Sequence, residues 1–173
     1  MQTDKLENVS PTIGNTLLYA VAGNEANPVR KNRDGLENSD HWATPKWLYD
    51  KLDAEFDFDP CPINHDISLW DGLKVEWGKS NYCNPPYNRY DKPKWIAKVY
   101  EEWKKGKTVI MLIPAATGTK QFHELILPNA EVRFLKGRVA FEGYNTKGEY
   151  STKNKGKHDS MLVVFRGAGS NGI

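Results

Sequence analysis

SNYCNPPYNRYDKPKWIAKVYEEWKKGKTVIMLIPA, Ser80–Ala115, decides the fold. Its last part, from Thr108 to Pro114, is an unbroken apolar run. That is the mark of a strand buried on both faces of a sheet. Before it, Trp95, Ile96, Val99, Tyr100 and Trp103 recur at helical spacing, and Gly106 follows as a stop. At the front, a short strand-like run ends at Asn84, because Pro85 and Pro86 have no N–H to give to a ladder. Strand, helix and buried strand in that order predict an α/β sheet.

The flanks extend the alternation. "ATPKWLYDKLDAEF" reads as a helix with Thr44 as N-cap, Pro45 at the first helical position and Trp47, Leu48 and Leu52 on an apolar face. "EFDFDPCP" predicts a short strand through Phe56 and Phe58 that ends at Asp59-Pro60, and Asp71-Gly72 is a turn. "GTKQFHELILPN" is a shorter helix stopped by Pro128. "AEVRFLKGRVAF" and "SMLVVFRG" are two last strands joined by a Lys- and Gly-rich connection, which reads either as a solvated loop or as a segment reaching phosphates. The expected fold is α/β, doubly wound, a mostly parallel sheet with a C-terminal antiparallel hairpin. Residues 1–40, mixed, with an apolar patch in "TIGNTLLYAVAG" and a polar, Gly- and Pro-punctuated stretch after it, read as a mobile arm or lid, and 41–173 as a single domain. Ligands of such sheets bind beyond the carboxyl ends of the strands. Asp59 and Asn84 both stand there.

Composition narrows the classes. In 173 residues, 24 Lys+Arg face 22 Asp+Glu, a formal net charge of +2, so any nucleic-acid contact rests on a local basic patch. Cys61 and Cys83 have no CxxC spacing and read as reduced, buried thiols of a cytosolic protein. His41, His65, His123 and His158 have no ligand spacing, so no metal is expected. No apolar run reaches membrane-spanning length, and no signal peptide is visible; a cytoplasmic protein is expected.

The corner Asn84–Tyr87 carries the chemistry. A residue before proline is pushed out of helical geometry, so the Pro85 carbonyl stays free of any helical ladder. Asn84 adds a side-chain carbonyl acceptor beside it. Two acceptors converging on one point suit a planar exocyclic amine, and binding both of its hydrogens makes the nitrogen nucleophilic. Tyr87 offers a face for a base turned out of a duplex, worth roughly 1–3 kcal/mol per base.

"NPPY" at a strand end resembles the [D/N]PP[Y/F/W] signature of amino-methyltransferases that use S-adenosylmethionine. Glutamine-, guanine- and cytosine-methylating enzymes share that tetrapeptide, so cytosine N4, an RNA base, a protein glutamine or a non-catalytic relative stay open on the corner alone. The ordered set "WATPKWLYDKL", "FDFDPCP", "DGLKVEW", "YCNPPY", "VIMLIPA" and "FLKGRVAF" resembles the phage-type DNA N6-adenine methyltransferases over about residues 40 to 165. The resemblance implies a compact Rossmann-like methyltransferase fold and methyl transfer to N6 of a flipped adenine in double-stranded DNA. The enzyme would act in the cytoplasm, the host's if phage-encoded. It implies Asn84, Pro85, Pro86 and Tyr87 as the catalytic loop, and Thr44, Pro45, Asp59 and Asp71 around the cofactor. Arg89, Arg138, Lys153 and Lys155 are the expected DNA contacts. "DPCP" stands where larger methyltransferases carry a glycine-rich loop, and no separate target-recognition domain is visible.

Overall fold

The computed structural model describes residues 42–52, 56–62, 70–144 and 150–168. The arm expected over 1–40, and His41 and His65, lie outside them. Helix α1 spans Lys46–Leu52, strand β1 Ser80–Cys83, helix α2 Lys92–Lys104 and strand β2 Thr108–Pro114. A π-helical turn follows at Phe122–Ile126, then β3 at Glu131–Phe134, β4 at Ala140–Tyr144, β5 at Tyr150–Lys155 and β6 at Ser160–Phe165.

Four strands form one sheet in the order β1-β2-β6-β3. Phe58 adds a parallel bridge to Asn81 at the outer side of β1. β1 and β2 pair in parallel, Cys83 opposite Met111, as a helical crossover demands. β6 runs antiparallel to both β2 and β3, with Pro114 opposite Ser160 and Phe134 opposite Met161. The expected mostly parallel pairing is thus corrected: β1, β2 and β3 share one direction, but two of the three ladders are antiparallel. The cause is where β6 enters. The chain reaches Ser160 at the end where β2 finishes, so it can only run back.

The expected C-terminal antiparallel pairing is present, but its first arm is shorter than expected. Glu131–Phe134 does pair antiparallel with β6 at the sheet edge, but "AEVRFLKGRVAF" is not one strand. The chain turns at Gly137, whose φ of 76° a side chain would resist. Beyond the turn, β4 leaves the main sheet and pairs with β5 as a separate two-stranded ribbon. The Lys- and Gly-rich connection, open as a loop in the sequence, is therefore in part a strand.

Both faces of the sheet are covered, as a doubly wound reading requires. On one, Trp95, Ile96 and Val99 of α2 pack with Val109, Met111 and Ile113. On the other, Leu48 and Leu52 of α1 and Phe141 of β4 pack with Tyr82, Ile110 and Leu112, whereas Trp47, expected on the same face, is exposed. β2 alternates its side chains between the two clusters and is buried from Val109 to Pro114. Burying each such aliphatic side chain is worth about 1.5–3 kcal/mol. Two buried polar side chains find partners, although Asn81 Oδ1 accepts from none of the described residues. Asn81 donates to Gly78 O and Thr108 O at 3.1 and 3.0 Å. Glu102, 1% exposed, meets Lys98, Lys105 and Lys107 at 2.7–2.9 Å. Burial alone would push the Glu102 carboxyl up, but the hydrogen bonds from Lys105, Lys107 and Lys98 bring it down to about 2.

Candidate functional site

Phe58, β1 and β2 point the same way, so Asp59, Asn84 and Ala115 all leave the sheet at one end. At Asn84 the side chain is fixed from both sides. Its Nδ2 donates to the Trp42 carbonyl at 3.2 Å, and its Oδ1 accepts from the Tyr87 hydroxyl at 2.6 Å. The same hydroxyl lies 3.2 Å from the Leu112 carbonyl, tying the corner to β2. Tyr87 meets Phe141 edge to face with centroids 6.0 Å apart. Burial pushes the Tyr87 hydroxyl up, so it remains a donor. Pro85 is buried, and its carbonyl takes no hydrogen bond from any described residue. An amide oxygen carries two lone pairs, so Asn84 keeps one acceptor position after serving Tyr87.

Thr44 and Pro45 sit beside this corner, but they do not start the helix in the way expected. Helix α1 begins at Lys46, and the Pro45 carbonyl accepts from Leu48 and Tyr49 at 2.9 and 3.1 Å. Thr44 does not cap it: its hydroxyl is 2.7 Å from the hydroxyl of Tyr82, a buried residue of β1. Glu142 accepts from Lys46 N–H at 3.2 Å and so takes up part of the capping role. Ala43 and Glu142 exchange backbone hydrogen bonds, which holds this segment against β4.

Asp59 and Asp71 lie on two interlocked turns. Asp59 Oδ1 accepts from Cys61 N–H at 2.8 Å, and no cation pairs with it among the described residues. Burial pushes its carboxyl up to about 7 against that hydrogen bond. Burial, then the Asp59 charge, pushes the Cys61 thiol up to about 12; Cys83 is buried and also raised, so both cysteines stay free thiols. Asp71 caps its own turn by accepting from Leu73 N–H at 3.0 Å, and it pairs with Lys74 at 3.0 Å. Trp70 Nε1 donates to Pro60 O at 3.1 Å, and Trp77 Nε1 to Gly72 O at 2.7 Å. A Cβ on Gly72 would fall 1.9 Å from Pro60 O, so only glycine lets the two turns meet.

The expected DNA contacts divide into two places. Arg89 is exposed beside the corner and lies over the Tyr90 ring. Arg138 lines a cleft of about 460 Å³ with Pro114–Ala116, Lys157, His158 and Asp159, past the end of β2. Lys153 and Lys155 are exposed on β5. Among the described residues, Lys136, Arg138, Lys153, Lys155 and Lys157 make no ion pair, whereas the lysines of α2 are largely engaged by Asp91, Glu101 and Glu102. An unpaired basic stretch on and beside the β4–β5 ribbon is what a phosphate backbone would meet. No group of three or more His, Cys, Asp or Glu among the described residues is arranged to hold a metal ion. No helix among them is long and apolar enough to cross a membrane.

A family model described as DNA N-6-adenine-methyltransferase (Dam) matches residues 32–171. The chain belongs to the Dam family. Membership carries DNA as the substrate and N6 methylation of adenine as the family's activity, and the match takes in the corner, both acidic turns and the β4–β5 ribbon. Searches of curated proteins and of solved structures find no match. Several partners in this Dam-family site were not foreseen in the sequence: the Trp42 carbonyl, Tyr82, Phe141 and Glu142. Each acts from 38 to 96 positions away, and only the aromatic type of Phe141 offered a signal.

Proposed function

We propose that the chain moves a methyl group from S-adenosylmethionine to the N6 amine of an adenine turned out of double-stranded DNA into the Asn84–Tyr87 corner, within a compact Rossmann-like methyltransferase fold. The observation that carries the reading is the pair of acceptors there. Asn84 Oδ1 is oriented by Tyr87 and keeps a lone pair, and the Pro85 carbonyl has no donor among the described residues. Pro86 stiffens the turn by fixing its own φ and holding Pro85 extended. Two carbonyl oxygens accept both amine hydrogens and draw the nitrogen lone pair out of the ring. No strong base is needed, which suits an amide at position 84. Preorganised acceptors of this kind require no rearrangement as charge develops on the amine.

Asp59 fits the cofactor's donor groups: it is a largely desolvated carboxylate with no cation of its own. Asp59 would hold the methionyl or ribose part and Asp71 the adenine amine, while Thr44 and Pro45 close over the methionyl end. When bound, S-adenosylmethionine supplies an electrophilic methyl group on its sulfonium. The sign of the pH effect follows from the raised carboxyl. Protonated Asp59 stabilises the free fold fully below its ordinary pKa, and that contribution is lost as pH rises through about 7. Cofactor binding prefers the ionised form, so affinity should rise with pH through 7, by about tenfold per unit below it. Calorimetric titration of S-adenosylmethionine from pH 5.5 to 7.5 tests this. A flat wild-type profile, or a slope that survives Asp59→Asn, would remove Asp59 from the cofactor site.

Arg89, Arg138, Lys153 and Lys155 would lie along the phosphates, and the enzyme would act in the cytoplasm, the host's if phage-encoded. Lys153→Glu with Lys155→Glu should weaken duplex binding and flatten the slope of log K against log salt by about 0.9 per lost phosphate contact. Unchanged slope and affinity would take the ribbon out of the interface. The function as a whole is tested by incubating the protein with labelled S-adenosylmethionine and duplex DNA, then digesting to nucleosides. Labelled N6-methyldeoxyadenosine is expected. Label in cytosine, or in RNA or protein offered in parallel incubations, would move the activity to another amine, and no label in any of them would leave a binding protein.

A further inference from the structure

Turning a base out of a duplex leaves a gap in the stack, and something must fill it or the base falls back. Three residues past the corner stands Tyr90, 65% exposed and a member of neither apolar cluster. An aromatic ring of that exposure gains little from burial, yet it is held in place. Asn88 Oδ1 accepts from Tyr90 N–H at 3.0 Å and from Asp91 N–H at 2.9 Å, and Asn88 Nδ2 donates to Asp91 at 2.9 Å. The backbone under Tyr90 is thereby fixed in a turn. The ring is fixed too: the Arg89 guanidinium lies 4.6 Å from its centroid and also reaches its hydroxyl. Its position is set by topology. α2 begins at Lys92 and runs back from the end of the sheet where β1 stops, so Tyr90 lies at the same end as Asn84.

We infer that Tyr90, backed by Arg89, is the plate that enters the DNA stack and occupies the space left by the flipped nucleotide. The inference rests on the base-flipping reading above and adds a residue to it. The chemistry of the contact is a flat π-face meeting the bases on either side of the gap, with the guanidinium positioned for a neighbouring phosphate. Such a plate is needed only when the target is stacked and paired. In single-stranded DNA there is no gap to fill.

That difference supplies the test. Methylation by the wild type, Tyr90→Ala and Tyr90→Phe is measured on one oligonucleotide, as a duplex and as a single strand. The ratio of duplex to single-strand kcat/KM should fall about 5- to 150-fold in Tyr90→Ala, the range of one base–aromatic stack, and return in Tyr90→Phe. Because both rates come from one preparation, a loss of folded protein cancels from the ratio. A second measurement needs no cofactor. With 2-aminopurine at the target position, the rise in fluorescence on binding should be smaller for Tyr90→Ala than for Tyr90→Phe. An unchanged ratio in Tyr90→Ala, or an equal fall in Tyr90→Phe, overturns the assignment while leaving the methyltransferase reading intact. If the wild type methylates adenine in neither form, that reading fails and this one with it.

Discussion

Asn84→Ala is expected to slow methyl transfer by about 10²–10³-fold, the cost of losing one preorganised acceptor, while S-adenosylmethionine still binds. Three interactions disappear together. The amine loses one oxygen, the Tyr87 hydroxyl loses its partner at 2.6 Å, and the Trp42 carbonyl loses its donor at 3.2 Å. Tyr87 retains the Leu112 carbonyl at 3.2 Å, so the ring stays near its place. The fold should survive, since a lost hydrogen bond of this kind costs about 1 kcal/mol. Asn84→Asp separates the roles. It keeps an oxygen for Tyr87 and the amine, but it cannot donate to Trp42 when ionised. It should therefore retain much more turnover than the alanine variant. Single-turnover rates with saturating cofactor decide the matter, and near-normal turnover in Asn84→Ala would refute the catalytic assignment.

Gly72→Ala should be the most damaging small substitution for the cofactor side. The new methyl would sit 1.9 Å from Pro60 O and 2.6 Å from the Trp95 ring, and neither neighbour has room to retreat. Pro60 O is backbone, already bonded to Trp70, and Trp95 is buried in the core. Overpacking of this degree costs about 3 kcal/mol or more. For a chain of this size that lowers Tm by about 6–12 °C. The turns bearing Asp59 and Asp71 would also separate, so cofactor affinity should fall further than the loss of folded protein explains. Thermal melting with calorimetry at a temperature where the variant is folded measures both. A Tm within 2 °C of wild type, on the same ~2–4 °C per kcal/mol scale, would contradict the close approach of these turns.

Local signals in the sequence were strong where one element explains its own residues. The run Thr108–Pro114 had to be a strand covered on both sides, and the Trp95–Trp103 stripe had to be a helix face; both are so. The corner at Asn84 was equally legible, because two prolines leave few conformations. What stayed hidden depends on residues far apart in the chain. Nothing in "SMLVVF" says that it will lie between β2 and β3 rather than at an edge. Tyr150–Lys155 has no apolar alternation, so it did not read as a strand, and only its ladder with β4 makes it one. Thr44 illustrates competition for a single hydroxyl: the rule for helix starts favoured the cap, but Tyr82, 38 positions away, took it. Tyr87 was read as a stacking face, and the hydrogen bond from its hydroxyl to Asn84 adds a second role that the motif did not announce.

The interior place of β6 also governs how the molecule is made. Among the described residues β6 follows every other strand, yet it alone joins β2 to β3. While a nascent chain has not yet released Ser160–Phe165 from the ribosome, β2 and β3 each present a bare edge of unpaired N–H and C=O groups. The sheet is therefore completed only after β2 and β3 have both been synthesised, through contacts of long sequence separation that form slowly. Shortening the chain within β6 would not trim an edge; it would remove the middle.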